Sequence, residues 1–459
     1  MTRDSRKGDG RTAIVLAIAM FAVFNANGRE IASYDSQPTT LAARELLLRG
    51  TLSLGHVVGA RPQLAERPGF QLARDGLYRS AYSPVPAISA AILVWPVSAT
   101  GLLDLRAPLA PPIMSAFASS VLVAVAVAMV YLTARRRLTR TRSIVLAVSL
   151  GLGTGWWSTA SQTLWQHETA IFGLTLAVWG LFGVAPRADD ARASGDRNQY
   201  VNAALIGLGL GLAAGSRLQL APTTLILIVA VVLGSGWRMG FVTAATAAAI
   251  VAPVCLANLR WFGSILGAAP MLEALHSSVH ATTGSFSLRS GGLHGLLISP
   301  NRGLLIFSPV VALALAGVPG LLKSGWRSPL LLCTTAAAVQ YLLYGSYAVW
   351  WGGHTFGPRY ALDILPLLVP LGMVAMGRIE GRLLRAGASL LLAWSIGVAA
   401  LGAFVYPSER WNTDPLDVDR HHERLWDWSD TQIARCWTTG PSPQNFRFFS
   451  RGAWRAPRS

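Results

Sequence analysis

Residues 84–103 read PVPAISAAILVWPVSATGLL, and whether they cross a membrane decides how the rest of the chain is threaded. The run is apolar and long enough to span, since about 20 such residues suffice, yet Pro84, Pro86 and Pro96 punctuate it. Further apolar runs lie around it: Thr12–Ala26, Ile113–Leu132, Ser143–Trp157, Ala170–Val184, Tyr200–Ala214, Ala221–Leu233, Gly240–Ala257, Leu304–Leu322, Pro329–Val349, Tyr360–Met376 and Ala386–Val405. If residues 84–103 crossed, Arg135, Arg136, Arg137, Arg140 and Arg142 would face outward while the basic leader (Arg3, Arg6, Lys7, Arg11) faced inward. If they lie along the outer interface, every strong cluster becomes cytoplasmic, including Arg187/Arg192/Arg197, Arg238, Lys323/Arg327 and Arg378/Arg382/Arg385. That bias normally sets orientation, and the prolines suit an interfacial helix better than a span. The expectation is an all-α polytopic membrane protein of about eleven transmembrane helices, N-terminus cytoplasmic and C-terminus outside. Residues 1–405 would form the transmembrane domain, with 28–112 as a first extracytoplasmic loop carrying juxtamembrane helices. Residues 406–459 would be an extracytoplasmic tail.

Composition agrees. Of 459 residues, 52% are hydrophobic and only 13% charged, about half the charged share of soluble proteins. Lys+Arg outnumber Asp+Glu by 39 to 22, but the basic residues sit in short loops between apolar runs. Retention on the cytoplasmic side and contact with anionic lipids account for them, and no solvated basic domain is left to bind nucleic acid. Cys255 and Cys333 fall in apolar runs and Cys436 is alone in the tail, so neither a C-x-x-C metal site nor a disulfide framework is expected. The first run follows a basic leader but lacks a convincing cleavage site, so it reads as a retained helix. Asp189 and Asp190 belong to a polar inner loop, and there is no internal repeat.

This threading leaves a distinctive set of polar residues outside. Asp35-Ser36-Gln37-Pro38 opens a helical pattern that Gly50 closes. Asp35 can be its N-cap, a catalytic base, or both, because helix N-terminal amides keep a carboxylate ionised. Arg79 precedes Tyr82-Ser83-Pro84, where the chain returns to the interface. It can pair with a lipid phosphate or simply snorkel to headgroups. His167 and Glu168 join two spans at the water line, where they could hold a divalent ion or merely start a helix. Arg217 is an outer exception to the positive-inside trend. Arg302 (in SPNRGLLIFSP, 299–309) and Arg359 (in WWGGHTFGPRY, 350–360) stand at outer helix mouths framed by Gly and Pro. Trp350 and Trp351 suit interface anchoring or sugar stacking.

Together these segments resemble the polytopic glycosyltransferases of GT-C fold that use polyprenyl-phosphate-linked sugars, especially the bacterial subset related to protein mannosyltransferases and aminoarabinose transferases. The carriers are Asp35 ahead of Ala43-Arg44-Glu45-Leu46-Leu47 through Gly50, the Arg302–Pro309 stretch, and Gly352–Tyr360. The resemblance implies a bacterial inner-membrane enzyme with its site outside, Asp35 as catalytic carboxylate and Glu168 as second outer acid. It implies a polyprenyl-phosphate sugar donor, an extracytoplasmic glycan, lipid or protein acceptor, and surrounding membrane lipids as partners. Arg79 stands near a phosphate-contacting Lys of many relatives, although that Lys directly precedes a proline and here Pro84 is five positions on. Ser36 replaces the acid that often follows the first.

Such a transfer needs one base for the acceptor hydroxyl and cations for the departing phosphate. The expectation is inverting transfer with Asp35 as base and Arg79, Arg302 and Arg359 contacting donor phosphate. His167, Glu168, His354 and Arg217 are candidates for the acceptor or a second site. No cofactor is required, and a divalent metal held by Asp35 and Glu168 stays open. The alternative is a transporter or flippase of lipid-linked sugar or polysaccharide. Transporters place ionisable groups or broken helices near the midplane, whereas these spans are nearly free of charge at their centres. An assembly scaffold would leave the outer acids and arginines without a task.

Overall fold

A computed structural model describes residues 3–184, 196–282, 285–325 and 327–456. Asp189, Asp190, Arg187 and Arg192 lie outside the described residues. The described chain is almost wholly helical. Its α-helices are α1 (Arg3–Phe24), α2 (Ser36–Arg49), α3 (Gly55–Ala60), α4 (Pro84–Ala99), α5 (Ala110–Ala134), α6 (Arg140–Leu152), α7 (His167–Val184), α8 (Asp196–Ser216) and α9 (Ala221–Ser235). They continue as α10 (Trp237–Phe262), α11 (Ala269–Val279), α12 (Gly292–Ile298), α13 (Leu304–Phe307), α14 (Val318–Leu321), α15 (Pro329–Ser346), α16 (Leu365–Arg378), α17 (Arg382–Phe404) and α18 (Gln432–Thr439). One antiparallel hairpin, β1 (Phe70–Leu72) with β2 (Tyr78–Ser80), interrupts them.

Local chemistry sets many of the boundaries. Ser83 caps α4 by accepting from the Val85 amide, with Pro84 in the first turn, and Ser328 does the same for α15 ahead of Pro329. Gly50 ends α2 in the left-handed region at φ 67°. Each of the eleven apolar runs is helical, although 304–322 is built from α13, a 3-10 segment at Pro309–Gly317 and α14. Four helical segments among the described residues are long and apolar enough to cross a membrane by length and composition: Ala110–Ala134, Leu218–Ser235, Trp237–Phe262 and Arg382–Phe404. Large apolar side chains point outward from several of them, such as Leu225, Phe241, Leu256 and Leu390. A bundle that turns such residues to its surroundings is built for lipid.

Polar contacts sort to the two ends of the bundle. Asp9 of α1 pairs with Arg135 at 2.8 Å and lies 3.7 Å from Arg140, while Arg142 lies 3.6 Å from Glu380. At the opposite end of α1, Asn27 donates to Gln162 (2.6 Å) and to the carbonyl of Ala403 (2.9 Å). Helix α4 begins where Ser83 donates to the Gly215 carbonyl at 2.5 Å. Just beyond its C-terminus, Leu105 accepts from Arg44 of α2 at 2.7 Å and Asp104 donates to the Trp454 carbonyl at 3.0 Å. Both flanks of residues 84–103 therefore meet α2, the α8 terminus and the tail, with Ile92 and Trp95 turned outward.

The tail is tied to the bundle. Phe446 and Phe448 donate to the carbonyls of Asn27 and Gly28, and Ser442 to that of Phe404. Helices α7 and α8 approach through glycine: a Cβ on Gly209 would sit 2.3 Å from the Gly173 carbonyl oxygen, and one on Gly173 would sit 2.4 Å from that of Gly209. Small residues allow such close backbone approach in membrane bundles. Gly209→Val should lower the thermal midpoint of the detergent-solubilised protein, at a cost of about 1–3 kcal/mol. Gly234→Ala, where the new methyl meets nothing within 4 Å, should leave the midpoint unchanged or raise it.

Candidate active site

Asp35 stands at the N-terminus of α2 but does not cap it. Its side chain makes no cap hydrogen bond. Ser33 serves that turn instead, its hydroxyl accepting from the amides of Asp35 (3.1 Å) and Ser36 (3.3 Å). The cap reading of Asp35 is therefore corrected, because its carboxylate is directed at other groups. Tyr82 donates to Oδ1 at 2.8 Å and Arg359 to Oδ2 at 3.1 Å. Burial and the adjacent Asp35 carboxylate push the Tyr82 phenol up, so it stays a donor. Arg359 is held over the Trp165 ring at 4.5 Å, a cation–π contact that fixes its direction. Gly352, Gly353 and Gly357 all have positive φ (77°, 70° and 67°), and they bend the segment that delivers Arg359.

Asp35, Tyr82, Trp165, Arg359 and Tyr360 form a wall shared by two cavities. One, of ≈ 490 Å³, reaches toward the bundle past Arg217, Tyr344 and Tyr347, and its lining mixes Val254, Leu266, Leu272, Phe286 and Leu343 with His167, Gln219, Asn258 and Glu273. The other, of ≈ 1120 Å³, is framed by the first loop and the tail and carries Glu30, Arg61, Arg67, His354, Glu409, Arg410, Asp417 and Asp419.

Behind the smaller cavity lies a buried polar cluster centred on Asp363. His167 Nδ1 lies 2.9 Å from its Oδ1, while Tyr344 donates to Oδ2 at 2.8 Å and Arg217 Nε approaches Oδ2 at 3.0 Å. Arg217 also reaches His167 Nε2 at 3.0 Å. Arginine can only donate, so Nε2 accepts and the imidazole is the neutral Nδ1–H tautomer. Asp363 was not among the expected residues. An acid three residues into the apolar run Tyr360–Met376 was the available signal.

Other expected residues are placed elsewhere. Arg79 on β2 pairs with Asp75 at 2.7 Å and lies over the Trp261 ring at 4.5 Å, and it lines neither cavity. Arg302 is fully buried. Its guanidinium donates to the carbonyls of Trp351 (3.1 Å), Asn301 (2.7 Å) and Gly353 (3.2 Å), to Gln432 (3.2 Å) and to Asn412 (2.6 Å). A guanidinium has five N–H donors, and five bonds leave none for a phosphate. Glu168 is buried with Thr169 donating to it at 3.3 Å, and it lines neither cavity that Asp35 lines. Among the described residues, the ligand atoms gathered as a metal could hold them belong to His354, Asp417 and Asp419, not to Asp35 and Glu168.

The fold and this site define a class: a helical membrane protein of GT-C architecture whose acid and guanidinium meet at one rim. The structure of ArnT from Cupriavidus metallidurans bound to undecaprenyl phosphate aligns at TM-score 0.51 and 14% identity, covering 94% of this chain and 76% of that one. The oligosaccharyltransferase AglB from Archaeoglobus fulgidus, in complex with an inhibitory peptide and a dolichol-phosphate, aligns at TM-score 0.51 and 15% identity over 96% of this chain. The chain spans 62% of that protein's length. The same oligosaccharyltransferase in complex with Zn and sulfate gives TM-score 0.52 at 16% identity, over 95% of this chain and 58% of that one. No protein-family model and no curated protein matches the sequence.

Two outcomes follow from this geometry. Arg302→Met leaves buried acceptors unpaired, each costing about 1–3 kcal/mol, so limited proteolysis should release residues 406–459 far faster than in the parent. Glu409, buried in the tail, has its carboxyl raised to about 7 by desolvation. A carboxyl raised in the folded state contributes stability that is complete below its unfolded value of 4.5 and lost as pH rises through about 7. Thermal midpoints of Glu409→Gln should therefore fall less than those of the parent across this window, and exceed them above it.

Proposed function

We propose that this protein is a membrane glycosyltransferase that moves a sugar from a polyprenyl-phosphate donor to an extracytoplasmic acceptor. The observation that carries the reading is the shared wall: one carboxylate and one guanidinium at the junction of a cavity that reaches into the bundle and one framed by the first loop and the tail. A lipid-linked donor enters the smaller cavity, its chain against Val254, Leu272 and Leu343 and its phosphate facing Arg359 and Arg217. The acceptor enters the larger cavity. Asp35 takes the proton from the acceptor hydroxyl as the new glycosidic bond forms, while the bond from the sugar carbon to the phosphate oxygen breaks. Attack from the face opposite the phosphate inverts the anomeric carbon. Arg359 stabilises the charge that develops on the departing phosphate. In the resting protein it donates to the Asp35 carboxylate at 3.1 Å.

Phosphate contact in this reading falls to Arg359 and Arg217 rather than to Arg79, which lines neither cavity, or Arg302, whose donors are engaged elsewhere. His167 fixes Arg217 through Asp363. The ArnT structure holds undecaprenyl phosphate and the AglB structure dolichol-phosphate, which supports a polyprenyl-phosphate donor here. The acceptor is a glycan, lipid or protein of the envelope. The chain sits in a bacterial inner membrane with its N-terminus cytoplasmic and the site outside, a reading its arginine clusters support.

Reconstituted protein with a radiolabelled polyprenyl-phosphate sugar and an envelope extract tests this directly. Asp35→Asn should insert normally and lose about 10²–10⁴-fold in transfer, and Arg359→Gln should lose transfer as well. Full transfer by Asp35→Asn would falsify the assignment. Movement of the labelled lipid across the bilayer with no new glycosidic bond would establish transport instead.

A further inference from the structure

We infer that His354, Asp417 and Asp419 form a divalent transition-metal site, with zinc as its best-fitting occupant, on the rim of the larger cavity. The three residues come from two separate parts of the chain. His354 follows the left-handed pair Gly352–Gly353 between α15 and α16, and Asp417-Val418-Asp419 belongs to the tail. His354 Nε2 lies 2.9 Å from Asp417 Oδ1 and 3.3 Å from Asp419 Oδ2, and one ligand atom from each residue lies within 4.8 Å of the others. Zinc bonds to nitrogen and oxygen of about 2.0–2.2 Å place neighbouring ligand atoms about 3–3.5 Å apart. Both distances from His354 Nε2 are already in or near that range.

Protons alone serve this cluster poorly. A neutral imidazole has one N–H to offer from Nε2, and two carboxylate oxygens compete for it. A cation at the centre satisfies all three. The surroundings are those of a held ligand set. Asp419 Oδ1 is turned away from His354, accepting from the Trp351 indole at 2.8 Å and lying 3.1 Å from His280 Nδ1. Asp417 Oδ1 accepts from the Asp419 amide at 2.9 Å. Outer partners of this kind orient metal-binding carboxylates. The donor set, one imidazole and two carboxylates, suits zinc or manganese, and imidazole tips it toward zinc. Three protein ligands leave a coordination position open, as in zinc sites that bind a small molecule. That position faces the cavity lined by Asp35 and Arg359, so its fourth ligand is water or a hydroxyl of whatever occupies that space.

The site stands on its own ligand geometry and survives if sugar transfer is disproved. Tag-free full-length protein, purified in detergent and stripped with chelator, is titrated with zinc chloride by calorimetry and with cobalt chloride by visible absorption. One equivalent of zinc should bind. Cobalt should give d–d bands of nitrogen and oxygen ligation that zinc abolishes. His280→Gln, an outer partner, should weaken binding about 10–100-fold. His354→Gln and Asp417→Asn should weaken it further, while Asp35→Asn and Glu168→Gln should bind as the parent does. Absence of stoichiometric zinc binding and of cobalt bands in the parent chain overturns the proposal, whether or not any variant folds. So does unchanged binding in the His354→Gln/Asp417→Asn double variant, which would seat the ion elsewhere, such as at His421-His422-Glu423.

Discussion

The ion pair between Arg359 and Asp35 joins residues 324 apart in sequence, and the organisation of the outer end depends on it. It fixes the start of α2 against the mouth of α16 and so closes the wall between the two cavities. Asp35 is partly exposed while Arg359 is nearly buried, and a guanidinium withdrawn from water is costly unless oxygen acceptors surround it. The pair is therefore asymmetric. Arg359 needs Asp35 more than Asp35 needs Arg359.

That pair is held from behind by a second arginine with a different task. Arg302 binds carbonyls on both sides of the Gly352–Gly353 bend and two side chains of the tail, Asn412 and Gln432. Burial lowers it to about 10, still well above neutral pH, so the charge persists and must be satisfied by oxygen atoms. Satisfying it draws the tail onto the loop that delivers Arg359. Ser299 and Asn301 add to the clamp by donating to the carbonyls of Leu425 and Arg424. The tail is in this sense part of the wall of the larger cavity.

Much of this was legible in the residues, for reasons of physical scale. Apolar runs announce spans because lipid demands them over many consecutive positions, and each of the eleven runs is helical in the structure. The glycines at 352, 353 and 357 signalled non-helical backbone, and they have the positive φ that only glycine adopts freely. Arg302 and Arg359, however, sit in similar Gly- and Pro-framed motifs. One is sealed against the tail and the other faces a cavity. Nothing local separates them, since the difference lies in what packs above each. Asp363 lies in a run that reads as a span, and its signal is only the cost of a charge at that place. The convergence of His354 with Asp417 and Asp419 crosses more than sixty positions and leaves no periodic trace.

The polar cluster of Asp363, His167, Arg217 and Tyr344 shows how a membrane bundle carries charge inward. A buried aspartate with a single partner would be expensive, but this one meets an imidazole, a phenol and a guanidinium together, and half-satisfied networks are the costly ones. With His167 forced into the Nδ1–H tautomer by Arg217, each group has one orientation that satisfies its neighbours. Arg217 is thereby presented to the smaller cavity in a fixed direction with its charge only partly neutralised. Lys at this position would present a single point charge and lose the fork that reaches His167 Nε2 through one nitrogen and lies 3.0 Å from Asp363 Oδ2 through another. The cluster therefore selects arginine on geometric grounds.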